Sequence, residues 1–383
     1  MAPAIVTIDG SPLSVDLTSG VPYKDYDRGY LNKERELHGH GKHAPATHPE
    51  YLPTLELTGP KENGGVYYPL EEYTHTEHGK DADPTFPHLL PSDGSVTWDN
   101  LTPRFGSEVR GVQLSSLDSA GKDELALFVA QRGVVAFRDQ DFASLPISQA
   151  LEFGGYFGRH HIHPASGQPK GHPEIHLVHR GADDPTLGDI FKTRTSSVAW
   201  HSDVTYEKQP PGTTFLYILD TPTDADGKVS GGDTAFVSMT EAYDRLSPLF
   251  RERLAGLRAT HSGIEQSAAA AARGNVVRRP PVVNSHPLVR THPATGRKAL
   301  FVNPQFTRHI EHLKLEESEA LLKFLYDHTA YGVDFQVRVK WAPGTVVVWD
   351  NRVVMHTALL DWNSGGRRHL ARITPQAEVP VEG

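Results

Sequence analysis

The chain has 383 residues, 38% hydrophobic and 22% charged, with 22 His, no Cys and a net charge of −9. That acidity argues against nucleic acid as a partner, and zero Cys excludes disulfides, thiolate metal sites and a cysteine nucleophile. No run of 18 apolar residues occurs, and the opening MAPAIVTIDGSPLSVDL lacks a basic-then-apolar signal layout, so the expectation is a cytoplasmic protein with no membrane partner. Any metal it binds must be held by nitrogen and oxygen.

Residues 1–95 are rich in Pro, Gly, His, Tyr and charge, with no sustained period of 3.6 or 2, and read as an extended arm wrapping a core. His38, His40, His43 and His48 are separated by Gly and Lys and read as a solvated loop rather than a metal site. From Thr102 the texture changes, and residues 96–383 read as one domain. RFGSEVRGVQL alternates like a strand, Lys122–Arg132 has helical spacing, Gly133–Asp139 is a short buried-strand run, and Ile147–Phe157 is a second helix. Strand-like runs follow at Thr213–Leu219, Asp233–Ser238, Leu300–Val302, Phe335–Trp341 and Thr345–Trp349. Helices are expected at Thr240–Leu257 and Glu316–Thr329. Residues 258–281, with five consecutive alanines, read as a lid or surface excursion. Many short strands with a few outer helices predict a mainly β fold with flanking helices and a double-sheet, jelly-roll core.

Three pieces carry chemistry. In AWHSDVTY, His201 and Asp203 are two apart, so on an extended backbone both point to one side. His356 follows the apolar TVVVW run and a turn, and Arg368 and Arg372 are four apart in RRHLARIT. Each has a plainer account: a chance triplet among many His, a structural His, a surface pair. Together, two His and one carboxylate without sulfur match the facial triad of non-haem Fe(II) oxygenases. A keto-acid chelating such an iron needs a bidentate Arg for its remote carboxylate, and Thr234 in GGDT offers a hydroxyl to share it.

WHSDVTY, PPGTTFLY, GGDT, HPLVRTHPATGRKALFVN, WDNRVVMH and RRHLAR, spread between Thr102 and Thr374, resemble in that order the taurine dioxygenase (TauD/TfdA) family of Fe(II)/2-oxoglutarate-dependent dioxygenases. The resemblance implies a double-stranded β-helix core and a cofactor set of Fe(II), 2-oxoglutarate and O2. It implies His201, Asp203 and His356 as iron ligands, and Thr234 and Arg368 as holders of 2-oxoglutarate. Arg372, His163 of HIHP, and Val204 through its backbone N–H would meet the anionic group of the substrate. Ser197 and Ser166 stand where taurine-using members carry Asn and Tyr, and the loop from His356 to Arg368 is one residue longer than in the bacterial enzyme. The long N-terminal arm resembles the fungal, sulfonate dioxygenase-like branch.

The implied reaction oxidises an unactivated C–H of a small anion, a sulfonate or sulfate ester ahead of a carboxylate or amino acid, and releases succinate and CO2. Hydroxylation, desaturation and ring closure all stay open, as does self-association into a homo-oligomer. Two rivals of other classes also stay open. One is a non-catalytic jelly-roll binding protein; the other is a zinc hydrolase on the same ligands, which would not need Arg368.

Overall fold

Strands buried on both faces organise the molecule. A computed structural model describes residues 46–54, 56–181, 191–192, 194–223, 226–272, 275–362 and 366–383, together with the backbone of a short strand pair, Val6–Ile8 and Ser11–Leu13. The main strands are β1 (Thr97–Asn100), β2 (Ser107–Arg110), β3 (Val134–Phe137), β4 (Ile175–Arg180), β5 (Thr213–Asp220) and β6 (Thr234–Ser238). They continue as β7 (Arg258–Ser262), β8 (Val283–Pro287), β9 (Thr307–Ile310), β10 (Gln336–Val339), β11 (Val346–Asp350), β12 (Val354–Ala358) and β13 (Arg368–Ile373). The largest sheet has the order β1-β2-β3-β11-β5-β13-β4, and its only parallel pair is β2 with β3. Two three-stranded sheets run β10-β6-β12 and β8-β7-β9. The fold is sheet-dominated with few helices.

In β11, Val347 and Trp349 join one apolar cluster, with Phe236 of β6 and Val354 of β12, while Val346 and Val348 join another. In β5, Leu216 and Ile218 take the first side and Phe215, Tyr217 and Leu219 the second. Two-sided burial is why these stretches read as continuous apolar runs rather than as alternation. The second cluster is closed by helices α1 (Ser119–Arg132) and α2 (Ile147–Gly155), through Leu125, Phe128, Val129, Ala150 and Phe153. Asp118 caps α1 by accepting from Gly121 N at 2.8 Å. Gly133 ends it at φ +74°, where a Cβ would strike the Phe105 ring at 2.4 Å.

Several boundaries differ from expectation. The helix expected over Thr240–Leu257 is two, α3 (Met239–Asp244) and α4 (Pro248–Leu254). Pro248 cannot continue a helix from behind, and Ser247 restarts one by accepting from Phe250 N at 3.3 Å. The strand expected at Leu300–Val302 lies at Lys298–Leu300. Residues 258–281 hold β7 and helix α5 (Ile264–Ala272), and Arg278 and Arg279 there are fully buried. The last helix, α6, spans Leu315–Tyr331. Strands β1, β4, β7, β8, β9, β12 and β13 had no counterpart in the sequence reading.

Of the N-terminal histidines, His48 lies 3.4 Å from Glu50, and the others lie outside the described residues. Tyr51 is buried with its hydroxyl 3.0 Å from that of Tyr217, and Pro53–Thr54 pairs with Gln168–Pro169. No helix among the described residues is long and apolar enough to cross a membrane.

Phe215 packs against Phe153 and Phe157, ring centroids 5.4 and 5.0 Å away, on the helix side of the main sheet. Phe215→Ala should therefore cost about 3–5 kcal/mol of unfolding free energy. The check is the urea midpoint at unchanged slope.

Candidate active site

His356 sits in β12, opposite Phe236 of β6. His201 pairs with it as an isolated bridge: His201 N donates to His356 O at 3.1 Å, and His356 N to His201 O at 2.8 Å. That pairing sets the two rings side by side, centroids 4.3 Å apart. The chain then turns over residues 203–206, so Asp203 reaches the pair through a turn and not through strand alternation. Its Oδ1 lies 3.7 Å from His201 Nε2 and 3.8 Å from His356 Nε2.

Surrounding groups hold this arrangement. His201 Nδ1 lies 2.8 Å from Ala199 O, a contact in which the ring nitrogen donates and Nε2 keeps its lone pair for a metal. The buried Asn351 clamps the Asp203 backbone twice: its Oδ1 accepts from Asp203 N at 2.7 Å, and its Nδ2 donates to Asp203 O at 3.0 Å. Burial opposes ionisation of Asp203, but Arg372, His356 and His201 outweigh it and hold the carboxyl below its usual range. Burial, then the His201 ring, pushes His356 well below its ordinary value, leaving the neutral form that ligates. Asp203 Oδ2 is buried with no hydrogen-bond partner among the described residues. A carboxylate with one oxygen orphaned and the other within 4 Å of two imidazole nitrogens, in a chain without Cys, is a donor set suited to a divalent iron.

This His/Asp/His group opens on a cavity of about 170 Å³ whose walls include all eight candidate residues: His201, Asp203, His356, Thr234, Arg368, Arg372, His163 and Val204. Along β13, Arg368, Leu370 and Arg372 share one face, while Ala371 and Ile373 enter the helix-side cluster. The four-residue spacing of the arginines is thus two strand periods. Arg368 Nε donates to Gly232 O at 2.8 Å. Gly232, at φ +70°, sits so close that a Cβ would meet Arg368 Cδ and Nε at 3.1 Å. Thr234 Oγ1 accepts from Trp341 Nε1 at 3.1 Å. Arg372 Nη1 donates to Asp203 Oδ1 at 2.8 Å. Val204 holds φ +39°, unusual for a β-branched residue and of the kind that collects at functional sites.

Ser166 lines the cavity, whereas Ser197 does not; its hydroxyl accepts from Leu360 N at 3.2 Å. The sequence reading missed His176, Arg180, Gln266, Gln305 and Phe306 in the walls. For His176 and Arg180 a signal existed: in IHLVHR, Ile175 and Leu177 turn to the core while His176, Val178 and Arg180 turn to the cavity. One other group among the described residues has metal-type donors, His75, Glu77 and Glu378. There Arg352 Nη1 already bonds both Glu77 and Glu378, the latter at 3.1 Å, and so supplies the counter-charge.

The family model "Taurine catabolism dioxygenase TauD, TfdA family" matches residues 98–374. The chain belongs to the TauD/TfdA family. It is 41% identical over 378 residues to the alpha-ketoglutarate-dependent sulfonate dioxygenase of Saccharomyces cerevisiae, covering 96% of this chain and 89% of that one. It is 43% identical over 338 residues to an alpha-ketoglutarate-dependent dioxygenase of Penicillium expansum, covering 87% and 90%. A solved taurine dioxygenase from Burkholderia xenovorans superposes with a TM-score of 0.59 at 32% identity, covering 75% of this chain and 91% of that one.

For this TauD/TfdA member, Asn351→Ala frees the Asp203 backbone without touching a ligand atom. Loss of such outer support should weaken Fe(II) binding about 10- to 100-fold. Anaerobic titration of the metal-free protein with Fe(II) checks it.

Proposed function

We propose that the chain is an Fe(II)- and 2-oxoglutarate-dependent dioxygenase that oxidises an unactivated C–H of a small anion, a sulfonate or sulfate ester, with release of succinate and CO2. One observation carries this reading. A His/Asp/His set and two arginines on one strand face share a single cavity, 2.8 Å apart where Arg372 meets Asp203. Iron and 2-oxoglutarate, when bound, supply the oxidising chemistry with O2. His201, Asp203 and His356 hold the metal. Arg368, with Thr234 beside it, takes the distal carboxylate of 2-oxoglutarate by a bidentate, charge-assisted pair. Arg372, His163 and the backbone of Val204 take the anionic group of the substrate and so orient one C–H towards the metal. The family membership and the sulfonate dioxygenase relative both support this reading.

The architecture is part of the proposal. The main sheet and the β10-β6-β12 sheet face one another across a shared apolar cluster, which supports a double-stranded β-helix. Residues 1–95 act as an arm on the domain of residues 96–383, an assignment supported by buried Tyr51 and Leu89 and by the Glu77–Arg352 ion pair. Within 258–281, α5 acts as a cover, since its Gln266 lines the cavity. A cytoplasmic location fits a chain without Cys.

Anaerobic addition of Fe(II) and 2-oxoglutarate should raise the weak visible band of the chelate, and His356→Ala should abolish both band and turnover while the protein stays folded. Arg368→Ala leaves a carboxylate unpaired, a loss of roughly 2–5 kcal/mol. The KM for 2-oxoglutarate should then rise at least about tenfold, with a much smaller change for the primary substrate. A larger change for the primary substrate than for 2-oxoglutarate would reverse the two arginine assignments, and equal changes would contradict the Arg368 assignment. Absence of the band in the wild type would contradict the dioxygenase reading.

A further inference from the structure

His176 on β4 stands directly opposite Arg372 on β13 in the ladder register. Directly opposed residues leave a sheet side by side on the same face, and both line the cavity. Arg372 Nη2 lies 2.7 Å from His176 Nδ1 and 3.3 Å from its Nε2. A guanidinium can only donate, so the nearer ring nitrogen accepts and the hydrogen sits on Nε2. His163 reaches the same state by another route. Its Nδ1 accepts from Ala165 N at 3.1 Å and Ser166 N at 3.0 Å, which leaves Nε2 as the donor. The two rings meet edge to face, centroids 4.5 Å apart.

The guanidinium is therefore held at two corners. Nη1 is tied to Asp203 and Nη2 to His176, while the buried Nε has no partner among the described residues. At this wall of the cavity one fixed positive charge stands with two imidazoles, each of which keeps a single N–H. Both rings stay uncharged there: burial pushes His176 and His163 well below their ordinary values, with Arg372 adding to the effect on His176, and His161 and then Arg372 adding to it on His163. The other arginines of the cavity wall, Arg368 and Arg180, face one another four residues away along the two strands, so among the described residues a second negative charge finds no cation of its own beside Arg372.

We propose that His176 is the positioning residue of the substrate's anion clamp, fixing Arg372 through its Nδ1, and that the clamp so built accepts a singly charged oxoanion and rejects a doubly charged one. The inference rests on the reading of Arg372 as the group that meets the substrate.

His176→Phe keeps the ring volume and removes the acceptor, and His176→Gln restores an acceptor as an amide oxygen. The probes are alkanesulfonates, alkyl sulfates and alkylphosphonates of matched chain length, with succinate as readout. His176→Phe should raise the KM for the best sulfonate or sulfate about 10- to 100-fold, as expected for loss of a hydrogen bond to a charged group. It should leave the KM for 2-oxoglutarate within about twofold and the chelate band unchanged, while His176→Gln stays within about threefold of wild type. Assayed above the second pKa of the phosphonate, where that probe is doubly charged, the wild type should prefer the sulfonate of equal length by at least about tenfold. The proposal is overturned if the Phe variant keeps the wild-type KM for the anion, if 2-oxoglutarate loses equally, or if the phosphonate binds as well. Failure of the wild type to turn over any probe would contradict the proposed function itself, whereas full activity of both wild type and Phe variant would contradict only the role of His176.

Discussion

Strand periodicity in a sheet covered on both sides is the constraint from which the site follows. Successive side chains of β13 go alternately to the helix-side core and to the cavity, so a strand reading RHLARI delivers two arginines to one wall and Ala371 and Ile373 to the opposite core. The neighbouring β4 does the same with His176 and Arg180 against Ile175 and Leu177. A one-residue slip in register would put the arginines among Phe153 and Phe215 and is excluded by that cost. The cationic cavity is thus a product of the same alternation that builds the core.

Buried charge then has to be answered locally. Asp203 meets Arg372 on one side and the two imidazoles on the other, and Asn351 fixes its backbone from the turn between β11 and β12. That turn is itself pinned. Asp350 accepts from Arg352 Nε at 2.8 Å and Nη2 at 2.7 Å and from His292 at 2.9 Å, and Arg352 reaches on to Glu77 and Glu378. A chain of fully or largely buried ion pairs therefore runs from the N-terminal segment to the turn that clamps Asp203. Breaking one member leaves a charge without its partner, which is costlier than never having buried the pair.

Much of the site was legible in the sequence because its chemistry is unusual. Imidazole and carboxylate without cysteine restrict the metal, and paired arginines near an apolar strand restrict the ligand. His201, Asp203, His356, Thr234, Arg368, Arg372, His163 and Val204 do come to one cavity. The alternation in IHLVHR gives His176 a face, but which of the 22 His meets Arg372 follows only from the register that sets the two opposite one another. His201 and Asp203 converge through a bridge followed by a turn and not through strand alternation. Within the fold, two-sided strands such as Val346–Asp350 announced themselves as apolar runs. Half-polar β7 and β8, RATHS and VNSHP, did not, because their pairing rather than their composition makes them strands. The break at Pro248 is written in the sequence, but the apolar spacing runs on across it and masks it.

The central claim is that these three side chains, and not the second cluster of His75, Glu77 and Glu378, hold the iron. Anomalous scattering at the iron edge from crystals grown anaerobically with Fe(II) tests it most directly. The account predicts a peak within bonding reach of His201 Nε2, Asp203 and His356 Nε2 and none beside Arg352. Iron density at His75, Glu77 and Glu378, with none between the two imidazoles and Asp203, would contradict it.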